Sequence, residues 1–255
     1  MPLQEPVRTS IEKYLQSLSE KEFRFELVDN KNTGTGSVKL GTYGIIRGAT
    51  TFIIGIMDNS YKNVEKFGYV FEKAVLFLTD MGLGTCWLGG TFNKQQFSKP
   101  VRLKENEFIP IVSPVGYPCT GINVMNSIVR IVAGSDKRFP REKLFFENTF
   151  SNTLSTDAAG KYREPLEMVR LAPSASNKQP WRILKNENGY HFFLSRDPNY
   201  SRLLKYDIQR NDIGIAMCHF ELCAEELMLQ GLWTIDQCAV ELSGSFEYIT
   251  TWKIS

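Results

Sequence analysis

Residues 171–181 read LAPSASNKQPW, a stretch in which two prolines enclose small and polar residues and a tryptophan follows. Pro173 fixes its own backbone and disfavours helical geometry at Ala172. A helix predicted over residues 164–172 therefore ends here, and a turn leads toward the alternating strand predicted over residues 190–195. The chain around this turn is thus predicted to alternate between helix and strand.

The side chains of this turn are compatible with two roles. Ser174, Ser176 and Asn177 offer short polar groups beside backbone donors, and such groups can cap the segment that follows. They can equally form hydrogen bonds to a flat polar ligand that lies across the turn, with Trp181 as the apolar wall behind it. The composition of the turn leaves both roles open.

The segment GLGTCWLGGTF (82–92) is a second candidate for ligand contact because it is rich in glycine. Gly89 and Gly90 permit a close approach of the backbone to a ligand or to another part of the chain. The spacing does not match the dinucleotide pattern Gly-x-Gly-x-x-Gly, and the glycines follow a helix rather than a strand. A helix end followed by a tight connection is the alternative.

The segment GSDKRFPREKLFF (134–146) carries a cluster of basic residues. Lys137, Arg138 and Arg141 could bind a phosphate, since arginine contacts it through two parallel hydrogen bonds and lysine acts as a point charge. A solvated basic turn is the alternative, and it is the commoner use of such a cluster.

The composition of the chain is that of an ordinary globular protein. Apolar residues make up 42 % of its 255 residues and charged residues 23 %, which argues against disorder. The net charge of +2 shows no basic excess, so we expect neither a nucleic-acid-binding nor a membrane-surface protein. No apolar run has the pattern of a signal peptide or the length of a membrane span, so we expect a cytoplasmic protein.

The residue types that usually carry catalysis form no recognisable pattern. Five cysteines without a Cys-x-x-Cys pair, together with two histidines, give no zinc-type ligand set, so we expect reduced thiols and no metal. A Gly-x-Ser-x-Gly motif is missing, and neither histidine has a motif-level partner. The chain thus has candidate ligand-binding turns but no recognisable pair of catalytic acid and base. This combination indicates that a cofactor performs the chemistry.

Hydrophobic periodicity and turn residues predict the main elements. Ser10 is the predicted N-cap of the first helix. The polar residues 147–163 are predicted to form a linker. The predicted helices cover residues 10–19, about 69–82, 164–172 and 211–230, and the predicted strands cover residues 23–28, 50–57, 108–118 and 190–195.

The two halves of the chain contain an internal similarity at an offset of 149 residues. Within thirteen positions, five pairs are identical: Phe71/Phe220, Glu72/Glu221, Leu78/Leu227, Gly82/Gly231 and Leu83/Leu232. A tryptophan follows in both halves. Chance similarity between amphipathic helices is the alternative to a duplication. We predict two half-domains, residues 1–155 and 156–255, which could pack as a homodimer does.

Together these stretches resemble the FMN-dependent nitroreductase family, and in particular its branch named for a Thermotoga protein, in which two half-domains are fused in one chain. RLAPSASNKQPWR (170–182) resembles the family's characteristic turn, and MGLGTCWLGGTF (81–92) resembles the region after its central helix. GYP (116–118) followed by KRFP (137–140) resembles its closing strand and phosphate-binding segment. The resemblance covers most of residues 40–235.

The resemblance implies a fold, a cofactor and a set of binding residues. The fold would be α+β, a mostly antiparallel sheet flanked by helices, in two pseudo-symmetric halves. FMN would lie where two halves meet and would be held without any catalytic side chain. The implied cofactor-binding residues are Leu88, Gly89 and Gly90 at the reactive edge of the flavin, Lys137 and Arg138 at the phosphate, and Ser174, Ala175, Ser176 and Asn177 from the second half.

The N-terminal segment departs from the family pattern. Family members begin with an Arg-x-Ser-x-Arg motif that binds the FMN phosphate. Here RTSIEKY (8–14) provides Arg8 and Ser10, but Glu12 stands where the second arginine is expected. Either the motif is eroded at this place, or this segment precedes a motif that is missing.

The resemblance implies an FMN-dependent oxidoreductase that passes electrons from NAD(P)H to a small electron-poor acceptor, such as a nitroaromatic or a quinone. The alternative is a flavin-binding or interaction module without turnover, which the altered N-terminal segment favours. Since the halves are fused, both a monomer with an internal pseudo-dimer and a homodimer are compatible with the sequence. We expect one complete flavin site per chain, because the turn occurs only in the second half.

Overall fold

The computed structural model describes residues 2–30, 41–42, 46, 48–118, 137–198, 206–236 and 245–255. The chain divides into two compact units. The first consists of Met1–Asn63 and Val70–Val132, and the second of Val64–Tyr69 and Ala133–Ser255.

The first unit is built on a four-stranded antiparallel sheet whose strand order is β1-β2-β4-β3. The helix α2 begins with the residues 64–69 that are assigned to the second unit. In chain order, the elements are α1 (Glu5–Leu18), β1 (Phe23–Asp29), β2 (Thr51–Asp58), α2 (Val64–Asp80), β3 (Gly84–Thr85), α3 (Lys94–Ser98) and β4 (Glu107–Gly116).

The second unit is built on a six-stranded sheet whose strand order is β6-β5-β7-β8-β10-β9. All its pairs are antiparallel except β5 with β7. In chain order, the elements are β5 (Phe145–Glu147), β6 (Thr149–Thr153), α4 (Thr156–Ala159), α5 (Arg163–Leu171), β7 (Trp181–Asn186), β8 (Gly189–Leu194), α6 (Ile208–Glu226), β9 (Gly231–Thr234) and β10 (Glu247–Ile254).

The same arrangement occurs in both units. A helix is followed by two strands, a long helix and two more strands, as α1-β1-β2-α2-β3-β4, with the short α3 between the last two strands, and as α5-β7-β8-α6-β9-β10. The order β1-β2-β4-β3 corresponds strand for strand to β7-β8-β10-β9. The predicted fold class, a mostly antiparallel α+β fold with two pseudo-symmetric halves, is confirmed.

Each unit has a core that its apolar strands explain. In the first, the run TFIIGIM of β2 is buried on both faces, and Phe52 and Ile54 pack in one cluster with Leu88 and Val112. In the second, the core is aromatic. Trp233 and Trp252 lie with ring centroids 5.2 Å apart, and Phe220 of α6 lies 5.8 Å from Trp252. Burying such large side chains is the main stabilising contribution of each unit.

Two sequence-based assignments differ from the structure. The first helix begins at Glu5 with Gln4 as its N-cap, because a proline in the first turn is compatible with a helix start, so Ser10 is not a cap. Residues 147–163 are not a linker, since β6 pairs with β5 and Ser155 caps α4 through the amide of Ala158.

The strand β5 lies ahead of the predicted boundary between the halves. Residues 145–147 form β5, which pairs in parallel with β7 at Phe145↔Ile183 and Phe146↔Leu184. These residues therefore belong to the second unit, although they precede the sequence-based boundary between residues 155 and 156.

Candidate functional site

The turn between α5 and β7 has an unusual backbone. A single 3-10 turn covers Ala175–Asn177, and the φ angles of Ser176, Asn177 and Gln179 are 49°, 53° and 46°. Left-handed geometry is tolerated by asparagine but costs other non-glycine residues about 1 kcal/mol or more. A turn with this much strain persists only when its surroundings hold it, and strained turns cluster at binding sites.

Gln179 holds the turn from the inside. Its backbone amide donates to Ser174 Oγ at 2.9 Å, and its side-chain Nε2 donates to the carbonyl of Asn177 at 3.2 Å. Its Oε1 accepts from the amide of Phe139 at 2.8 Å, so this buried side chain connects the turn to the basic segment.

A buried carboxylate holds the turn from below. The amide of Ala175 donates to both carboxylate oxygens of Asp212, each at 3.1 Å. Asp212 lies in the second turn of α6 and is only 2 % exposed. A buried carboxylate requires donors of this kind, so the pairing fixes the turn on α6.

The basic segment packs against the same turn. Arg138 donates from Nε and Nη2 to the carbonyl of Leu171 at 3.2 and 3.0 Å, and from Nη1 to Asn177 Oδ1 at 3.3 Å. Asn177 Nδ2 in turn donates to the carbonyl of Lys137 at 2.6 Å. The structure therefore brings Lys137 and Arg138 together with residues 174–177, all within the second unit.

Two other predicted residues of this region have structural roles. Arg141 donates to Glu167 Oε2 at 3.4 Å, and its guanidinium lies 5.1 Å from the centre of the Phe145 ring. Hydrogen bonds from Arg170, with a smaller contribution from Arg141, hold the pKa of Glu167 below its usual range. Trp181 is completely buried, so it anchors β7 in the core and does not form the surface of a ligand site.

The glycine segment belongs to the first unit, and Leu88 within it is fixed on β4. The amide of Leu88 donates to the carbonyl of Val112, and the carbonyl of Leu88 accepts from the amide of Val112, both at 3.0 Å. Leu88 is buried, Gly89 is half-buried and Gly90 is exposed, so the chain leaves the sheet at these glycines. Burial raises the pKa of the neighbouring Cys86 thiol, which therefore stays protonated near neutral pH and is no nucleophile.

The N-terminal segment does not present its arginine for anion binding. Arg8 Nε lies 3.0 Å from Glu12 Oε1 and its Nη1 lies 2.7 Å from Asp29 Oδ1. Thr51 Oγ1 also donates to Asp29 Oδ1, at 3.0 Å. Two carboxylates thus neutralise the guanidinium, while Ser10 is exposed on the helix.

Sequence reasoning missed three residues that organise these segments: Asp212, Gln179 and Glu72. Glu72 accepts a 2.8 Å hydrogen bond from Nε1 of Trp87, the residue before Leu88. The identity of Glu72 and Glu221 in the internal similarity was a usable signal for this contact. Asp212 and its partner Ala175 are 37 residues apart, so no local pattern joins them.

Neither a metal-type ligand group nor a membrane-spanning helix occurs in the described part of the chain. Among those residues, no three His, Cys, Asp or Glu side chains lie close enough to hold a metal ion. No helix among them is both long enough and apolar enough to cross a bilayer.

Comparison with known proteins agrees with this architecture. Residues 1–224 match the family described as "Putative TM nitroreductase". A crystal structure of a "putative nitroreductase" from Thermotoga maritima MSB8 is similar over 99 % of this chain and 85 % of that one, with a TM-score of 0.61 and 19 % identity. No curated protein matches the sequence at a significant level.

Other similar structures cover about half of the chain. An FMN-dependent nitroreductase from Clostridium difficile R20291 matches 48 % of this chain and 81 % of that one, with a TM-score of 0.37 and 14 % identity. An iodotyrosine deiodinase bound to FMN and 3-iodo-L-tyrosine matches 47 % and 83 %, with a TM-score of 0.35 and 14 % identity. The family match spans most of the sequence, and the chain belongs to the Thermotoga-type nitroreductase family.

Proposed function

We propose that this protein is an FMN-dependent oxidoreductase that takes electrons from NAD(P)H and passes them to a small electron-poor acceptor, such as a nitroaromatic or a quinone. The observation that carries the proposal is the strained turn at residues 174–179 beside the basic pair Lys137 and Arg138. Membership of the nitroreductase family supports the reaction class.

The residues of the turn fit a flavin phosphate by their chemistry. Lys137 is exposed to solvent, and the guanidinium of the adjacent Arg138 lies against Asn177, so two consecutive basic residues border the turn. A dianionic phosphate monoester is a natural partner for such a pair. The Asp212 carboxylate is buried, and it accepts the hydrogen bond from the amide of Ala175 without contributing exposed negative surface.

The proposal assigns a binding role to each segment. Lys137 and Arg138 bind the phosphate, residues 174–177 contact the flavin through short side chains and backbone, and residues 88–90 supply backbone donors to the flavin ring. When bound, FMN supplies hydride and electron transfer chemistry. The protein orients the ring, stabilises negative charge that develops on it and admits donor and acceptor in turn, with no side chain acting as nucleophile.

The test combines a binding assay and a turnover assay. Purified protein incubated with FMN and dialysed should retain flavin bands at about 370 and 450 nm, roughly those of the free cofactor. It should then oxidise NADH or NADPH in the presence of a quinone or nitroaromatic. Absence of retained FMN at tens of micromolar, about the weakest affinity compatible with a cofactor, would reject the proposal. Retained FMN without NAD(P)H oxidation would instead establish a flavin-binding module without turnover.

A further inference from the structure

Glu72 is a buried carboxylate beside the glycine segment. It lies on α2 and is 1 % exposed, and it accepts a 2.8 Å hydrogen bond from the indole Nε1 of Trp87. The ring of Phe71 packs edge-on against the same indole, with centroids 4.6 Å apart. Because burial of a carboxylate is unfavourable without a donor, Glu72 and Trp87 fix each other.

Trp87 connects this carboxylate to the backbone of residues 88–90. Leu88 follows Trp87 directly and is bonded to Val112 of β4 through both its amide and its carbonyl. On the other side of Trp87, the amide of Cys86 donates to Ser113 Oγ at 3.1 Å. The indole is thus held from α2 while the backbone on either side of it is held from β4, and the direction in which Gly89 leaves the sheet depends on both.

The second unit contains the same device in another context. Trp233 Nε1 donates to Glu221 Oε2, also at 2.8 Å, and Phe220 lies 6.1 Å from the Trp233 ring. Glu221 also accepts a hydrogen bond from the hydroxyl of Tyr69, which contributes to the high pKa of that phenol after the larger effect of burial. Trp233, however, lies inside β9, and the strand continues to Thr234. Trp87 is followed instead by Leu88 and the two glycines.

We propose that Glu72 is a positioning residue for the flavin: through Trp87 it orients the backbone of Leu88, Gly89 and Gly90 toward the flavin ring. The inference rests on the function proposed above. The counterpart Glu221 holds its tryptophan by the same bond but has no such segment behind it, so its role is structural. The second unit therefore provides an internal control: it has the same Glu–Trp hydrogen bond, but no proposed flavin-binding segment follows its tryptophan.

The experiment compares four variants: Glu72→Gln, Glu72→Leu, Glu221→Gln and Glu221→Leu. Glutamine keeps an acceptor oxygen for the indole N–H, whereas leucine removes it. In flavin-free protein, Glu72→Leu should accelerate amide hydrogen exchange of Leu88 by about tenfold and shift the amide resonances of Gly89 and Gly90. With FMN, kcat for NAD(P)H oxidation should fall about ten- to hundredfold, the cost of a misplaced contact at a reacting centre. Glu72→Gln should recover most of both effects.

The control variants decide between positioning and general stability. Glu221→Leu should lower the melting temperature by an amount similar to Glu72→Leu, yet leave the Leu88 exchange rate and kcat near their wild-type values. Equal losses of kcat in the two leucine variants would overturn the inference. If Glu72→Leu does not fold, the pair Trp87→Phe and Trp233→Phe, which removes each indole N–H and keeps an aromatic ring, makes the same comparison.

The outcome separates the inference from the proposed function. Wild-type protein that retains no FMN would reject the proposed function, and the inference with it. Wild-type protein that retains FMN and turns over, with Glu72→Leu indistinguishable from Glu221→Leu in exchange and in kcat, would reject the inference alone.

Discussion

The two units share their order of helices and paired strands and differ in the connection that leads into the first strand of that order. Between α1 and β1 of the first unit lie only residues 19–22, whereas residues 172–180 lie between α5 and β7 of the second. The short connection is closed by Ser19, whose Oγ donates to the carbonyl of Leu15 and accepts from the amide of Phe25. The long one contains three residues with left-handed backbone geometry.

This difference separates the features that both units share from those that we assign to flavin binding. Both units have the same strand order, the same placement of helices along the chain and a Glu–Trp hydrogen bond, and we call these common features the frame. Among the described residues, the turn with left-handed geometry at Ser176, Asn177 and Gln179 occurs only in the second unit, and the sequence Leu-Gly-Gly occurs only at residues 88–90. A chain with two equivalent frames is therefore expected to build one flavin site.

The largest effect on stability is expected at a position where the aligned helices α2 and α6 have different residues. The offset of 149 residues aligns Glu65 of α2 with Gly214 of α6. A Cβ on Gly214 would lie 1.9 Å from the carbonyl oxygen of Glu65 and 2.7 Å from the amide nitrogen of Tyr69. Gly214→Ala gains about 1 kcal/mol of helix propensity, but a clash with backbone costs about 3 kcal/mol or more. We expect a large net destabilisation in chemical denaturation.

The matched control is the same substitution in the first unit. A Cβ on Gly116 of β4 would have no atom within 4 Å. Gly116→Ala should therefore change the free energy of unfolding by less than about 0.5 kcal/mol. A stable Gly214→Ala variant would show that α6 is not in backbone contact with residues 65–69.

The elements that the sequence predicted well are those with strong local patterns. β2 is a continuous apolar run and α5 ends at Pro173, so both could be assigned from periodicity and proline chemistry. Residues 149–153 have no such pattern, because β6 is held by its pairing with β5 and by the single apolar residue Phe150, which packs on Phe193. Long-range pairing of this kind overrides local propensity.

The candidate site was predictable in its residue types but not in its geometry. Small polar residues between prolines indicated a ligand turn, and basic residues indicated an anion contact. Ser176 and Gln179 have left-handed backbone geometry. Serine and glutamine normally avoid this geometry, so the residue types gave no reason to predict it. The contact of Arg138 with Leu171 and Asn177 joins segments 33 and 39 residues apart, so only the folded chain reveals it.

The next prediction sharpens the roles within the basic pair. The described hydrogen bonds of Arg138 shape the turn, whereas those of Lys137 involve its backbone carbonyl. Lys137→Gln should therefore weaken FMN about tenfold, the loss of one charge-assisted contact, and leave riboflavin unchanged. Arg138→Ala should weaken both flavins because the turn itself is disturbed. Fluorescence quenching titrations with FMN and riboflavin measure the two ratios, and equal losses for Lys137→Gln would place its ammonium away from the phosphate.

The smallest expected effect concerns acid stability of the two units. Hydrogen bonding by Arg24 lowers the pKa of Glu107 in the first unit, as Arg170 does for Glu167 in the second. A lowered folded pKa contributes stability above the ordinary value of 4.5 that is lost as pH falls through the folded value. Glu107→Gln should flatten the decline of unfolding free energy below pH 4.5 without abolishing it, since Glu167 still contributes. Denaturant titrations at successive pH values test this, and an unchanged slope would contradict it.

The number of flavins per chain tests the comparison of the two units most directly. Protein saturated with FMN, separated from free cofactor and denatured, releases its flavin for quantification against polypeptide concentration. Because the turn at residues 174–179 has no counterpart at residues 19–22, the ratio of FMN to polypeptide should saturate near one. A reproducible ratio near two would contradict the account, because the short connection at residues 19–22 would then have to support a site that its residues do not build.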